Sequence, residues 1–385
     1  MSLTLRDFQV PLPAESIGRV FPRAWLNWLE INTRPTPFPQ HLHLKNLAYW
    51  QGRKVALVKQ TAYHALYEAG AFSAWQERVL SAGGHLGPFA LFSEFNADFW
   101  VVAQEQDPEC FAWEEKFAYT PNREEKIRQR RAFIRELEAS CPENFPRTGD
   151  LDWGRYDLVI SLDLAIPERL VRKYPETAWA YFSTEPGSPL QKKSLRAPLA
   201  GYNFFLNHGF RGWRSRPANR RHVLEFPFSF QSQRAWDELG GQFSSEPSAR
   251  SGVLVEQFSW QDPPPPCTVP LQLLRGQETP RYIQSLRSHR YAVRTSTRKR
   301  WGNWAVEAIL GGCLFIGRAE SLDHPNVLLA PLVVPDLASA CRLVDRIERE
   351  GWAFALSTLQ RDKMEEVAFR RPWADLTSAF RFWKS

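Results

Sequence analysis

The sequence predicts an α/β protein of two lobes, each built on a parallel sheet. Three observations carry this. The chain has 385 residues, more than one ordinary core holds and suited to two domains of roughly 100–200 residues each. Short, two-sided apolar strands alternate with helical stretches in two separate blocks. A polar stretch rich in Ser, Gln and Gly, residues 231–251, separates the blocks as a linker would. The expected plan is therefore an extension over 1–47, proline-rich and packed on the first lobe, a first lobe over 48–230, the linker, and a second lobe over 252–385 ending in a helical tail.

Composition supports a folded, water-facing chain. Hydrophobic residues make up 43% and charged residues 24%, which excludes disordered and coiled-coil classes. The longest apolar stretches are broken by Glu307 or Pro331, short of the roughly 18 residues that cross a membrane. The opening MSLTLRDFQVPLP has no basic block followed by an apolar one, so a cytoplasmic protein is expected. The five cysteines (Cys110, Cys141, Cys267, Cys313, Cys341) form neither a CxxC nor an even framework, and are read as small, reduced, mostly buried residues without chemistry. Sixteen Trp and 26 Phe read first as core.

In the first block the strands are expected at KVALV (54–58), PFALF, DFWVVA, DLVISLD (157–163) and TAWAYFST (177–184), with helices over 71–82, 122–139 and 167–174. Glu124 and Arg128 make 122–139 a solvated helix face. In the second block GVLVEQF, YAVRTS, CLFIG and VLLAPLVV are expected strands, with helices near 282–288, at NWAVEAIL and over 337–350. In the last, Leu337, Cys341, Val344 and Ile347 recur at helical spacing, and Gly351 is placed to cap it.

The charge is concentrated. Seven Lys/Arg and no acid lie between Arg281 and Arg300, matching the whole net charge of +7. The pI is near 9.2, but charge focused on one loop suits a compact anion such as a diphosphate, and nucleic acid is not expected as a partner. A second acid-free cluster runs from Arg211 to Arg221, beside His208 and Gly209.

The most informative segment is YAVRTSTRKRWGNWAVEAILGGCLFIG, residues 291–317. A strand enters a loop with Arg294, Thr295, Arg298 and Lys299; Gly302 and Asn303 then open a helix whose first amides and positive dipole end suit an anion. Asn303 is a good N-cap, and Glu307 lies on the same helical face, pointing toward a ligand crevice. Gly311-Gly312 should end the helix, leaving it packed on the sheet with one face free for a ligand.

This order, with the string VEAILGGCLFIG, resembles the donor-nucleotide half of glycosyltransferases of the GT-B fold, strongest over 281–350 and matched in the first lobe only by its alternation. The resemblance implies two Rossmann-like domains facing each other across a cleft. It implies that Arg294, Thr295, Arg298, Lys299, Gly302, Asn303 and Glu307 hold a nucleotide-sugar donor, with Glu307 accepting from ribose hydroxyls. Retaining members carry another Glu before this one; here Lys299 stands eight residues before Glu307, which puts the stereochemistry in doubt and adds positive charge where a leaving diphosphate would sit. No DxD lies between apolar flanks, so no metal is expected, and no cofactor beyond the donor.

On the acceptor side, loops at the carboxyl ends of parallel strands supply candidates for a catalytic base. These are His64 after the first strand, Asp163 at the end of DLVISLD, and Glu185 after TAWAYFST. Glu185 is favoured over His64 because Pro-Gly-Ser-Pro stiffens its loop. The expected function is transfer of a sugar from a nucleoside diphosphate to a hydroxyl of a glycan, lipid-linked or protein acceptor, with peripheral membrane contact left open. The alternatives are a sugar-nucleotide epimerase of the same fold, or a non-catalytic polyanion-binding protein.

Overall fold

The computed structural model describes residues 40–60, 94–95, 97–103, 122–140, 145–162, 164–183, 201–207, 223–226, 232–234, 236–237, 250–274, 279–296, 303–319 and 328–385. They divide into two compact units: one from His41 to Ala235 together with Arg371–Ser385, the other containing Trp236–Arg370. The expected helix over 71–82, the strand PFALF and residues 1–39 lie outside the described residues.

The first unit holds helix α1 (Gln40–Gln51), strands β1 (Val55–Gln60) and β2 (Asp98–Val102), helix α2 (Arg123–Ser140), strand β3 (Leu158–Leu162), the short helix α3 (Glu168–Lys173), and strands β4 (Ala178–Ser183), β5 (Phe204–Asn207) and β6 (Val223–Glu225). The sheet order is β2-β1-β3-β4-β5-β6, with every neighbour parallel. Both faces are covered, so β3 is buried at every position, as its unbroken LVISL requires. On one face Trp153, Tyr156, Trp179, Tyr181 and Tyr202 pack with Val58, Val159 and Ile166.

The second unit holds β7 (Val253–Glu256), β8 (Leu271–Leu274), α4 (Thr279–Ser288), β9 (Tyr291–Arg294), α5 (Asn303–Leu310), β10 (Leu314–Gly317), α6 (Leu337–Glu350) and α7 (Ala353–Glu365). Its sheet runs β10-β9-β7-β8, again all parallel. The cap signals of α6 act as read. Asp336 accepts from the Ser339 amide at 2.7 Å, and Gly351 takes φ 72° while its N–H reaches the Glu348 and Ile347 carbonyls. Leu337, Cys341, Val344 and Ile347 are all buried; the three aliphatic side chains are worth roughly 1.5–3 kcal/mol each.

Three features differ from the sequence reading. VLLAPLVV is not a strand: Ala330–Leu332 is a 3-10 turn, and only a single bridge from Gly317 to Val333 extends the sheet. Pro331 lacks the N–H a ladder needs. The helix α7, unassigned from sequence, packs on α5 and β10, and the Gln360 side chain bonds both N–H and C=O of Phe315 at 2.7 and 2.9 Å. The tail, helix α8 (Arg371–Lys384), belongs to the first unit and not the second. Trp373 and Phe380 pack around Trp50 with centroids at 5.4 and 5.0 Å, and the Trp50 indole donates to Thr377 Oγ1 at 2.9 Å.

Arg250 closes the far end of the second unit. Its guanidinium donates to the carbonyls of Leu286, His289 and Gly311 at 3.3, 3.4 and 2.5 Å, collecting the acceptors that α4 and α5 leave unpaired at their carboxyl ends. Gly312, at φ 100°, passes beside it where a Cβ would meet the guanidinium at 2.5 Å, so only glycine fits. Arg250→Ala is expected to lower unfolding free energy by about 3 kcal/mol, because buried carbonyls lose a charged donor; urea unfolding of the full chain measures it.

Candidate functional site

In the second unit the chain passes from β7 to β8 on one side and then returns to β9 on the other. The strand order reverses between β7 and β9, and in parallel sheets the crevice outside the carboxyl ends at such a reversal is where ligands sit. The residues there are tied together. Ser259 Oγ, just after β7, accepts from the backbone N–H groups of Thr295 and Ser296 at 2.8 and 3.0 Å and donates to Glu256 Oε2 at 3.0 Å. The loop that leaves β9 thus starts from a fixed point, and the chain re-enters the described region at Asn303 to form α5.

Ser259 and Glu256 were missed by the sequence reading. Their signal was slight: an acid at the end of a fully buried apolar strand, with a hydroxyl three residues on. Gly317, at the end of β10, is constrained too, since a Cβ there would stand 2.3 Å from the Arg294 carbonyl.

The expected donor residues divide into three groups. Arg294 is the last residue of β9 and only 2% exposed, so its side chain is part of the interior. Thr295 begins the loop, buried and bonded through its amide. Arg298, Lys299 and Gly302 lie outside the described residues, and of Asn303 only its place as the first residue of α5 is described.

Glu307 sits in the second turn of α5 and is 3% exposed. The Tyr282 hydroxyl, from α4, donates to its Oε2, while Oε1 is buried without a hydrogen-bond partner among the described residues. Burial pushes the Glu307 carboxyl up to about 8, which favours the protonated form near neutral pH, whereas the sequence suggested a carboxylate. The free helix face is a correction as well. Residues 305–310 are all buried because α7 covers α5, and only Trp304, half-buried in its first turn, departs from this among the side chains described.

A stability prediction follows from Glu307. An acid whose folded pKa exceeds its unfolded value keeps its proton in the native state where the unfolded chain has lost it. Its contribution is full below the unfolded value, near 4.5, and is lost as pH rises to about 8. Glu307→Gln should flatten that part of the pH dependence, measured by urea unfolding at pH 5, 7 and 9; an unchanged slope would remove Glu307 as its source.

In the first unit the order reverses between β1 and β3, which pair in parallel. His64 comes four residues after Gln60, the end of β1; Asp163 directly follows Leu162, the end of β3; Glu185 comes two residues after Ser183, the end of β4. All three lie outside the described residues. On either side of Asp163 in the sequence, the buried Tyr202 hydroxyl bonds Ser161 Oγ at 2.8 Å, the Ile166 N–H at 2.9 Å and the Leu164 carbonyl at 3.3 Å. Sequence reasoning also passed over Lys59, the penultimate residue of β1, which is 0% exposed. A lysine on an apolar strand gives no hint of burial before the sheet is known.

No family model matches the chain, and no curated protein does. Among solved structures it is similar to sucrose-phosphate synthase from Thermosynechococcus elongatus, at 13% identity and a TM-score of 0.42 over 86% of this chain and 99% of that one. It is also similar to a UDP-forming trehalose-phosphate synthase from Burkholderia xenovorans, at 12% identity and a TM-score of 0.47 over 86% and 100%. A trehalose-6-phosphate synthase from Burkholderia multivorans matches at 11% identity and a TM-score of 0.46 over 86% and 98%. Likenesses at these scores carry no weight for reaction or ligand. What stands without them is the α/β class: two units, each a parallel sheet that reverses its strand order once. No helix among the described residues is long and apolar enough to cross a membrane.

Proposed function

We propose that the protein is a glycosyltransferase, with the second unit binding a nucleoside-diphosphate sugar and the first presenting the acceptor hydroxyl. The observation that carries this is the reversal between β7 and β9. Beside it Ser259 holds the amides of Thr295 and Ser296, the first two residues after β9, where a diphosphate is best received, and Arg298 and Lys299 follow in the sequence, outside the described residues. Backbone amides, with the cations expected of Arg298 and Lys299, would stabilise the charge that grows on a leaving diphosphate, and the reading needs no metal for this step. Glu307, its protonated form favoured near neutral pH, can donate as well as accept toward ribose hydroxyls through Oε1 if α5 and its neighbours admit them.

The first unit repeats the reversal between β1 and β3, with His64 and Asp163 on the two strand exits. A base there would take the acceptor proton as its oxygen attacks the anomeric carbon. The experiment is incubation of the full chain with nucleotide sugars, with and without sugar acceptors. Nucleoside diphosphate and a new glycoside that form only with acceptor support transfer. A new sugar nucleotide without acceptor would instead mark an epimerase.

A further inference from the structure

We propose that the face made by α1 and the last turn of α8 docks on an anionic lipid surface. Residues 40–54 carry Lys45, Arg53 and Lys54 and no acid, and residues 378–385 carry Arg381 and Lys384 and no acid. The first unit brings the two stretches together. The guanidiniums of Arg53 and Arg381 both lie over the Tyr49 ring, at 3.9 and 4.4 Å from its centroid. Lys384 Nζ stands 6.0 Å from the centre of the Phe380 ring, which meets Tyr49 at 6.2 Å. Among the described residues neither arginine has a carboxylate within ion-pair distance, and Arg53 Nε is buried without a hydrogen-bond partner. Asp157 offsets one charge, at 3.6 Å from Lys384 Nζ. Asp375, two turns before Phe382 on α8, has Arg371 one turn from it on the same helix.

Apolar side chains stand out beside these cations. Phe382, next to Arg381, is 67% exposed, and Leu42 is 40% exposed. Leu42, Lys45 and Tyr49, spaced three and four residues apart, share one side of α1. An apolar and basic stripe therefore runs from Leu42 to the ring that carries both arginines. A bilayer with anionic headgroups meets both halves of this pattern, phosphates for the cations and acyl chains for Phe382 and Leu42. Nucleic acid would supply only the phosphates, and a second copy of the chain on a two-fold axis would set like charge against like. Lys54 directly precedes β1 and Asp157 directly precedes β3, so the face lies toward the amino ends of the strands. Docking there would leave the crevice at their carboxyl ends open.

The test is sedimentation of the full chain with vesicles of phosphatidylcholine alone and of phosphatidylcholine with about one third phosphatidylglycerol. The chain is expected to pellet with the anionic vesicles and not with the neutral ones, and less at high salt. Each cation near such a surface contributes about fivefold to partition, so Lys45→Glu with Arg381→Glu should lower it at least about tenfold. Both side chains are exposed. Phe382→Ser should also lower partition, with the salt dependence unchanged, and it decides if the double variant does not fold. Equal pelleting with both kinds of vesicle, or none with either, overturns the proposal. So does wild-type partition in the variants, which would move the binding to another basic segment, or a self-association without vesicles that Phe382→Ser abolishes.

Discussion

Replacing the acceptor-side base is expected to cut sugar transfer at least a hundredfold while leaving donor affinity within about twofold, the lower end of what general-base catalysis contributes. The sheet order changes which residue should show this. From sequence alone Glu185 had the edge, because its loop is stiff. Yet β4, which it follows, is one strand removed from the reversal, whereas β1 and β3, which precede His64 and Asp163, flank it. The Tyr202 hydroxyl bonds Ser161, Leu164 and Ile166, which stand on either side of Asp163 in the sequence. We therefore expect His64→Ala or Asp163→Asn to give the large loss and Glu185→Gln less than about tenfold. If Asp163 orients His64, the double variant should cost no more than the worse single one, since groups acting as a unit are not additive. Initial rates at saturating donor give the answer, and a hundredfold loss in Glu185→Gln alone would return the role to that residue.

The second large effect is expected at the basic loop. Arg298→Ala and Lys299→Ala should not behave alike, because neighbouring side chains point different ways. At least one should lower turnover tenfold or more, about 1.4 kcal/mol of transition-state stabilisation. Arg294→Ala belongs to another category. Its side chain is interior at 2% exposure, so unfolding free energy should fall before any kinetic constant does. Steady-state kinetics beside urea unfolding separates the two kinds of loss; wild-type turnover in both loop variants would reduce the loop to a solvated surface.

Much of the second unit was legible because its signals are local. Gly312 ends α5 and Gly351 caps α6 through backbone conformations that glycine alone adopts easily. What sequence could not supply was long-range. Nothing in RPWADLTSAFRFWK says which lobe its aromatics join; the choice is made by Trp50 and Phe95, some 280–330 positions earlier. The covering of α5 by α7 had the same cause, and so did the charge state of Glu307, which depends on burial that only the packed unit produces. Ser259 illustrates the limit for sites: a serine bonded to two amides thirty-six and thirty-seven residues away has no sequence signature.

Binding of a nucleotide sugar by the second unit is tested most directly by thermal denaturation of the full chain against UDP, GDP, CMP, ADP and dTDP sugars, since a ligand selective for the folded state raises the melting temperature. One nucleotide class should raise it in wild type and fail to do so in the Arg298→Ala, Lys299→Ala double variant. No shift with any nucleotide sugar, or an equal shift in the double variant, would contradict it.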